Sequence, residues 1–297
     1  MREPPLLLSV PNVSDGENRA TIEAIGKAFA PATLLDVHSD PDHGRTVYTL
    51  AARQGEVAAA LLAGAGAATA RIDLRGHSGA HPHVGALDVA PVVYLDDEAR
   101  GAATAEALTA AGLIGDELDL PVFLYGDLAT ADDRRERSLL RAGGPAALAR
   151  RIAAGELPPD YGPASVDPAR GAVLVTARPP LVAFNIDLVS DDLDLARSIA
   201  GDLRESGGGP PGVRAIGLRL QHRDRVQVSL NVHDYRVAPI GALVDQVSRR
   251  APIAELELVG LAPAAALEGV PAGVPLRAFD PDRHIIENAL RSLGPAC

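Results

Sequence analysis

The chain has 297 residues, a net charge of −11 and 47% hydrophobic residues. That is enough apolar surface for one large or two moderate globular domains, and too acidic a balance for a face that neutralises phosphates, so nucleic acid is excluded as the main partner. The only cysteine, Cys297, excludes an internal disulfide and a cysteine-based zinc site. No apolar run approaches a membrane span and Met1 to Leu8 is too short for a signal peptide, so a soluble, cytoplasmic protein without a membrane partner is expected.

Leu6 to Val10 reads as a buried strand ending at Pro11-Asn12, and Ser14-Asp15-Gly16-Glu17 supplies capping chemistry for a helix over Asn18 to Phe29. Strands are predicted at Leu34 to His38 and at Thr46 to Ala52, then a helix over Glu56 to Ala70. Val89 to Leu95 returns to strand, Glu98 to Ala111 to helix and Pro121 to Tyr125 to strand. Arg134 to Ile152 reads as helical with a break at Gly143-Gly144-Pro145. Pro158 to Pro180 is rich in Pro, Gly and Asp and is expected to be a loop-rich boundary, dividing a unit of residues 1–178 from one of 179–297. In the second unit, strand Leu181 to Val189 precedes a helix over Leu193 to Ser206, capped from Ser190-Asp191-Asp192. Val213 to Gln221 and Arg225 to Val232 alternate with period two, Ile240 to Arg249 is helical, and Glu255 to Val259 is a last strand. That order is βαββαβ, the ferredoxin-like motif, and the first unit also opens βαββ, as a distorted copy would. A terminal helix is expected from Pro281 to Leu293. The fold class is α+β.

The densest chemistry lies in Arg75-Gly-His-Ser-Gly-Ala-His-Pro-His-Val-Gly-Ala-Leu-Asp88. It holds His77, His81 and His83, three of the eight histidines, among glycines and a proline that preclude a helix. Imidazoles on such a shaped loop suit proton transfer near neutral pH. A loop histidine bonded to a backbone carbonyl is the plainer alternative for each, more so for His83 than for His81.

Eight pieces in order resemble the glutamate formiminotransferase family, the folate-dependent enzymes of histidine breakdown. They are VPNVSDG (Val10 to Gly16), LLDV with RTVYTL (Leu34 to Leu50), HSGAHPHVGALDV (His77 to Val89), LPVFLYG (Leu120 to Gly126), RAGG (Arg141 to Gly144), PDYGPASVDPARGAVLVTAR (Pro159 to Arg178), VAFNIDL (Val182 to Leu188) and ELVGLAP (Glu257 to Pro263). The resemblance implies two ferredoxin-like subdomains with a folate cleft between them, usually in a homodimer. It implies transfer of the formimino group of N-formimino-L-glutamate to N5 of tetrahydrofolate, which is a co-substrate; the absence of cysteine ligands and the loop spacing of the histidines add the expectation that no metal is needed. It places the acid/base histidine at His81, in His81-Pro-His-Val-Gly-Ala-Leu-Asp88, and a folate-contacting loop at Gly162 to Gly171. The chain is too short to carry the cyclodeaminase half of the family's bifunctional members, so that activity is expected to be absent. Two places depart from the family pattern. His38 stands where an acidic residue is usual, and Pro179-Pro180 follow Arg178 where a basic residue is usual.

Formimino transfer requires N5 to shed a proton as it attacks and the departing glutamate nitrogen to gain one. One imidazole between the two nitrogens can serve both steps, and His81 is the candidate, with His38 and Asp36 as further catalytic candidates. Asp36, Asp40 and Asp88 could orient an imidazole or pair with an arginine. Both substrates carry carboxylates, which suit the guanidinium fork of Arg45, Arg75 and Arg178. Tyr161, Gly162, Pro163, Ala164, Ser165 and Gly171, with Asp88, complete the candidate folate-binding set, although Gly162 to Gly171 could equally be a rigid linker. The rival readings are a metal-dependent hydrolase of formimino or formyl glutamate, using His77, His81 and His83 with His38, His43 and Asp40, a folate-binding protein without turnover, and formyl rather than formimino transfer.

Overall fold

In the computed structural model residues 3–77 and 79–293 are described; Cys297 lies outside them. The chain forms two compact units divided between Pro179 and Pro180.

The first unit is built on β1 (Leu6–Ser9), β2 (Asn12–Val13), α1 (Arg19–Ala28), β3 (Thr33–Asp40), β4 (Arg45–Arg53), α2 (Val57–Thr69) and β5 (Leu87–Val93). β1 and β2 are successive pieces of one strand, interrupted at Val10-Pro11, and both pieces lie antiparallel between β4 and β5. With β3 outside β4, these pieces form the βαββαβ arrangement in the first unit too. The sheet is then extended by α3 (Arg100–Leu118), β6 (Val122–Leu124), α4 (Arg137–Arg141), α5 (Gly144–Ala153) and β7 (Val173–Arg178). β7 inserts parallel between β5 and β6.

Side-chain alternation divides the core of this unit into two layers. Ala90, Val92, Val122, Leu124, Val173 and Val175 pack with Ile22 and Ile25 of α1, Leu61 of α2 and Ile114 of α3. Val89, Phe123 and Leu174 point the other way, against Leu140 of α4 and Leu148 and Ile152 of α5. β5 is buried at every residue, as a strand covered on both faces should be.

The second unit comprises β8 (Val182–Leu188), α6 (Leu193–Leu203), β9 (Val213–Leu220), β10 (Arg225–Val232), α7 (Ile240–Ser248) and β11 (Ile253–Val259), in the sheet order β11-β8-β10-β9. Phe184, Ile186, Val228 and Leu230 join helix residues such as Ile199 and Val244 in one core. The opposite strand positions are polar and paired: the Asn185 amide donates to Glu257 at 2.8 Å and the Gln227 amide to Asp187 at 2.7 Å.

Three expectations need correction. The segment Pro158 to Pro180 is not loop throughout, since its last residues form β7, an interior strand. Arg134 to Ile152 is two short helices, α4 and α5, and Gly143 between them has a positive φ of 75°. The terminal helix is also two pieces, α8 (Pro281–His284) and α9 (Ile286–Arg291), because Ile285 is extended.

The cap read at Ser190-Asp191-Asp192 is in place: Asp192 accepts from the amides of Asp194 and Leu195 at 2.9 and 3.1 Å. Asp192→Ala removes that acceptor and should lower stability by about 0.5–2 kcal/mol. Urea unfolding followed by circular dichroism measures this, and an unchanged midpoint would show that α6 does not depend on its cap.

Candidate active site

Three motifs distant in sequence are joined by backbone contacts in the first unit. Ser14 of VPNVSDG donates its amide to the carbonyl of Ala86 at 3.0 Å and its hydroxyl to that of Gly85 at 2.8 Å. The turn Asp42-His43-Gly44 lies against the histidine loop, with the Ala80 amide on the Asp42 carbonyl at 3.1 Å and the His81 amide on the His43 carbonyl at 3.4 Å. The approach depends on glycine: a Cβ on Gly79 would sit 2.5 Å from the His43 carbonyl oxygen.

The far end of the loop is held in the same manner. Gly171, at φ 75°, bridges Gly85, and a Cβ there would lie 2.1 Å from the Val84 carbonyl oxygen. The Ala172 amide donates to that carbonyl and the Ala86 amide to the carbonyl of Arg170, both at 2.9 Å. Asp88 closes the loop on itself: one carboxylate oxygen accepts the Val84 amide at 2.8 Å and the other pairs with the Arg141 guanidinium. Both members of this ion pair are almost fully enclosed, their side chains 7% and 9% exposed.

The result is a recess lined by Asn12, Val13, Ser14, His43, Gly44, Arg45, His77, His81, His83 and Asp88. Its four imidazoles fall into two pairs. His43 stacks with His81 at 5.9 Å between ring centroids, and His77 meets His83 edge-on at 4.1 Å. His81 is buried, and its Nδ1 lies 2.8 Å from the Pro82 carbonyl oxygen. A carbonyl can only accept, so Nδ1 carries the proton and Nε2 is the basic nitrogen of the neutral ring. Burial holds the His81 pKa well below the usual histidine value, and the charges of Arg45, Arg141, His43 and Arg137 press it in the same direction. Burial and its neighbours Arg141 and Arg137 also lower the Arg45 pKa, to about 10, against the opposing charges of Asp40 and Asp88. The ring is therefore a neutral base at pH 7 in strongly cationic surroundings.

The expected site residues divide clearly. His81, Arg45 and Asp88 meet at the recess, but Asp88 acts there as the anchor of the loop and the partner of Arg141. Gly171 likewise holds the loop in position. Asp36 and His38 lie on β3, opposite Thr49 and Val47 of β4, and neither lines the recess. Arg75 is exposed and bonded to its near neighbour Asp73, so it does not join the group. Tyr161 pairs its backbone with Val122 and packs on the core beside β6, with Gly162, Pro163, Ala164 and Ser165 following at the surface or half-buried. Arg178 ends β7, and its guanidinium is depressed to about 10, first by burial.

Four contributors carried no role in the sequence reading proposed for this site: Asn12, Ser14, Arg137 and Arg141. His43 entered only as a ligand of the rival metal site. Among the described residues, no group of three or more His, Cys, Asp or Glu is placed to hold a metal ion. No helix among them is long and apolar enough to cross a membrane.

Fold and site together define a two-unit α+β protein with a recess lined by histidine and arginine in its first unit. Residues 6–178 match the model of the formiminotransferase domain, N-terminal subdomain, and residues 183–272 that of the formiminotransferase domain, so the chain belongs to the formiminotransferase family. It is 35% identical over 290 residues to a glutamate formimidoyltransferase of Streptococcus pyogenes serotype M1, covering 95% of this chain and 97% of that protein. A protein of the same name from Thermoplasma acidophilum is 34% identical over 273 residues, covering 88% of this chain and 89% of its own. The formimidoyltransferase-cyclodeaminase of Sus scrofa is 39% identical over 280 residues, covering 88% of this chain but 51% of that protein; the chain thus spans about half the length of that relative.

If the arginines hold the His81 pKa down, Arg45→Gln should raise it, because one source of repulsion against the imidazolium is removed. NMR titration of the His81 ring tests this; an unchanged or lower value would remove Arg45 from the causes of the depression.

Proposed function

We propose that the chain transfers the formimino group of N-formimino-L-glutamate to N5 of tetrahydrofolate, releasing glutamate. The observation that carries this reading is His81, a buried imidazole whose Nδ1 is committed to the Pro82 carbonyl and whose Nε2 is left basic beside Arg45. His81 Nε2 accepts the proton that N5 sheds as it attacks the formimino carbon, then returns it to the departing glutamate nitrogen. Arg45 supplies a guanidinium for a substrate carboxylate. Asn12 lines the recess with a buried side-chain oxygen that has no hydrogen-bond partner among the described residues, an acceptor suited to an N–H of the substrate. Holding two bound reactants in register supplies much of the acceleration. His38 and Asp36, on β3 outside the recess, would act on the shape of the site and not on the reacting atoms.

The folate-contacting role of Gly162 to Gly171 with Tyr161 and Arg178, a homodimeric state and a cytoplasmic location belong to the same proposal, supported by the family resemblance and, for the compartment, by the single cysteine. Transfer is expected to proceed without an added metal, and activity should survive chelation.

The test is steady-state kinetics of His81→Ala with both substrates. The variant should lose about 10²–10⁴-fold in kcat while folate affinity stays within about threefold, because the ring moves protons and does not hold the pterin. His83→Ala should cost far less. The sign of the pH dependence follows from the lowered pKa: the base is active when neutral, so kcat/KM should hold down to pH values below 6.5 and fall only as pH drops through the depressed value. Equal losses at His81 and His83, accompanied by loss of a bound metal, would favour the hydrolase instead.

A further inference from the structure

The cationic wall of the recess continues beyond it. Arg141, ion-paired with the recess residue Asp88, stands one turn from Arg137 on α4, and the charges of Arg45, Arg141, Arg137 and Arg178 act on one another. Three acids, Asp40, Asp88 and Glu136, act on these four guanidinium groups. Asp88 is used up on the Val84 amide and Arg141, and Asp40 stands opposite Arg45 on the neighbouring strand. Arg141 Nε is buried without a hydrogen-bond partner among the described residues.

Arg137 and Arg178 have no carboxylate partner among those residues. Instead they share Tyr125, which is 6% exposed. The Arg137 guanidinium carbon lies 5.7 Å from the tyrosine ring centroid, and Arg178 couples electrostatically to the same side chain while donating to the Pro179 carbonyl at 2.9 Å. A guanidinium held against an aromatic ring keeps its planar fork of donors in a fixed direction. Two such forks, partly withdrawn from water and without an ion-paired carboxylate among the described residues, are costly unless an anion completes them, the charges of Asp88 and Glu136 offsetting only part of that of Arg137.

We propose that Arg137 and Arg178, together with Tyr125, form a carboxylate-binding subsite that extends the His81 recess and takes a glutamyl carboxylate. The assignment rests on the transfer reaction proposed above, in which both reactants carry a glutamyl group: the donor itself, or the tail of the folate. Arg137 and Tyr125 would then set specificity for glutamyl compounds while His81 handles the proton. No covalent step is involved.

Calorimetric titration of the full chain with glutarate tests the subsite without turnover, and parallel titrations with N-formyl-L-glutamate and 5-formyltetrahydrofolate identify its source. Arg137→Gln should weaken glutarate by about tenfold or more, the loss of one charge-assisted contact. One of the other two ligands should weaken to the same extent and the other stay within about twofold. A loss confined to N-formyl-L-glutamate assigns the donor, and one confined to 5-formyltetrahydrofolate assigns the folate tail. Arg137→Lys, which keeps the charge but not the fork, should fall between, and serves if the glutamine variant does not fold. Unchanged glutarate binding in both variants, a wild-type chain that does not bind glutarate, or equal weakening of all three ligands would overturn the subsite. Binding of glutarate that depends on Arg137 in a chain with no transfer activity would instead leave the subsite standing and count against the proposed reaction.

Discussion

The enclosed ion pair between Asp88 and Arg141 is the contact on which the site depends. Its carboxylate works in two directions, accepting the Val84 amide four residues earlier and engaging a guanidinium fifty-three residues later. The first bond sets the curvature of the histidine loop, and the second fastens that loop to α4 on the other face of the sheet. Breaking such a buried pair costs about 3–5 kcal/mol, because the surviving charge is left without compensation. Once the loop is fixed, Pro82 offers its carbonyl to His81 and thereby selects the tautomer.

The same arginines serve two purposes through one field. They repel a proton from His81, so the ring remains a base, and in the proposed reaction they would attract the carboxylates of a ligand. A bound anion would offset part of that repulsion and raise the proton affinity of the imidazole just when it must receive one. Neutral base and proposed anion site would in this sense be one arrangement of charge, built on an otherwise acidic chain.

How much of this was legible in the sequence depended on how local each signal was. The second unit was readable almost throughout, because β10 alternates polar and apolar residues from Arg225 to Val232 and Asp192 caps α6 with its own carboxylate. β7 was hidden because its apolar residues are preceded by a Pro- and Gly-rich stretch and followed by two prolines, a composition that reads as loop; its partners β5 and β6 lie far back along the chain. His81 was recoverable from its motif, since the bond that fixes its tautomer is to the next residue. Arg137 and Arg141 were not, since they meet their partners only when α4 folds back on the sheet. Arg75 shows the converse error: it lies beside the histidine motif but spends its guanidinium on Asp73, two positions away. Gly171 stood in a segment assigned to folate contact, and its position in the structure gives it a packing role against Gly85 that no spacing rule could separate from ligand approach.

Product stoichiometry is the most direct measure of the transfer reaction. Purified protein should be given tetrahydrofolate with N-formimino-L-glutamate, and in parallel with N-formyl-L-glutamate, in the presence of a chelator. Glutamate should appear one-for-one with 5-formiminotetrahydrofolate, and only when folate is present. Glutamate release independent of folate, or release that requires added zinc, would contradict that reaction.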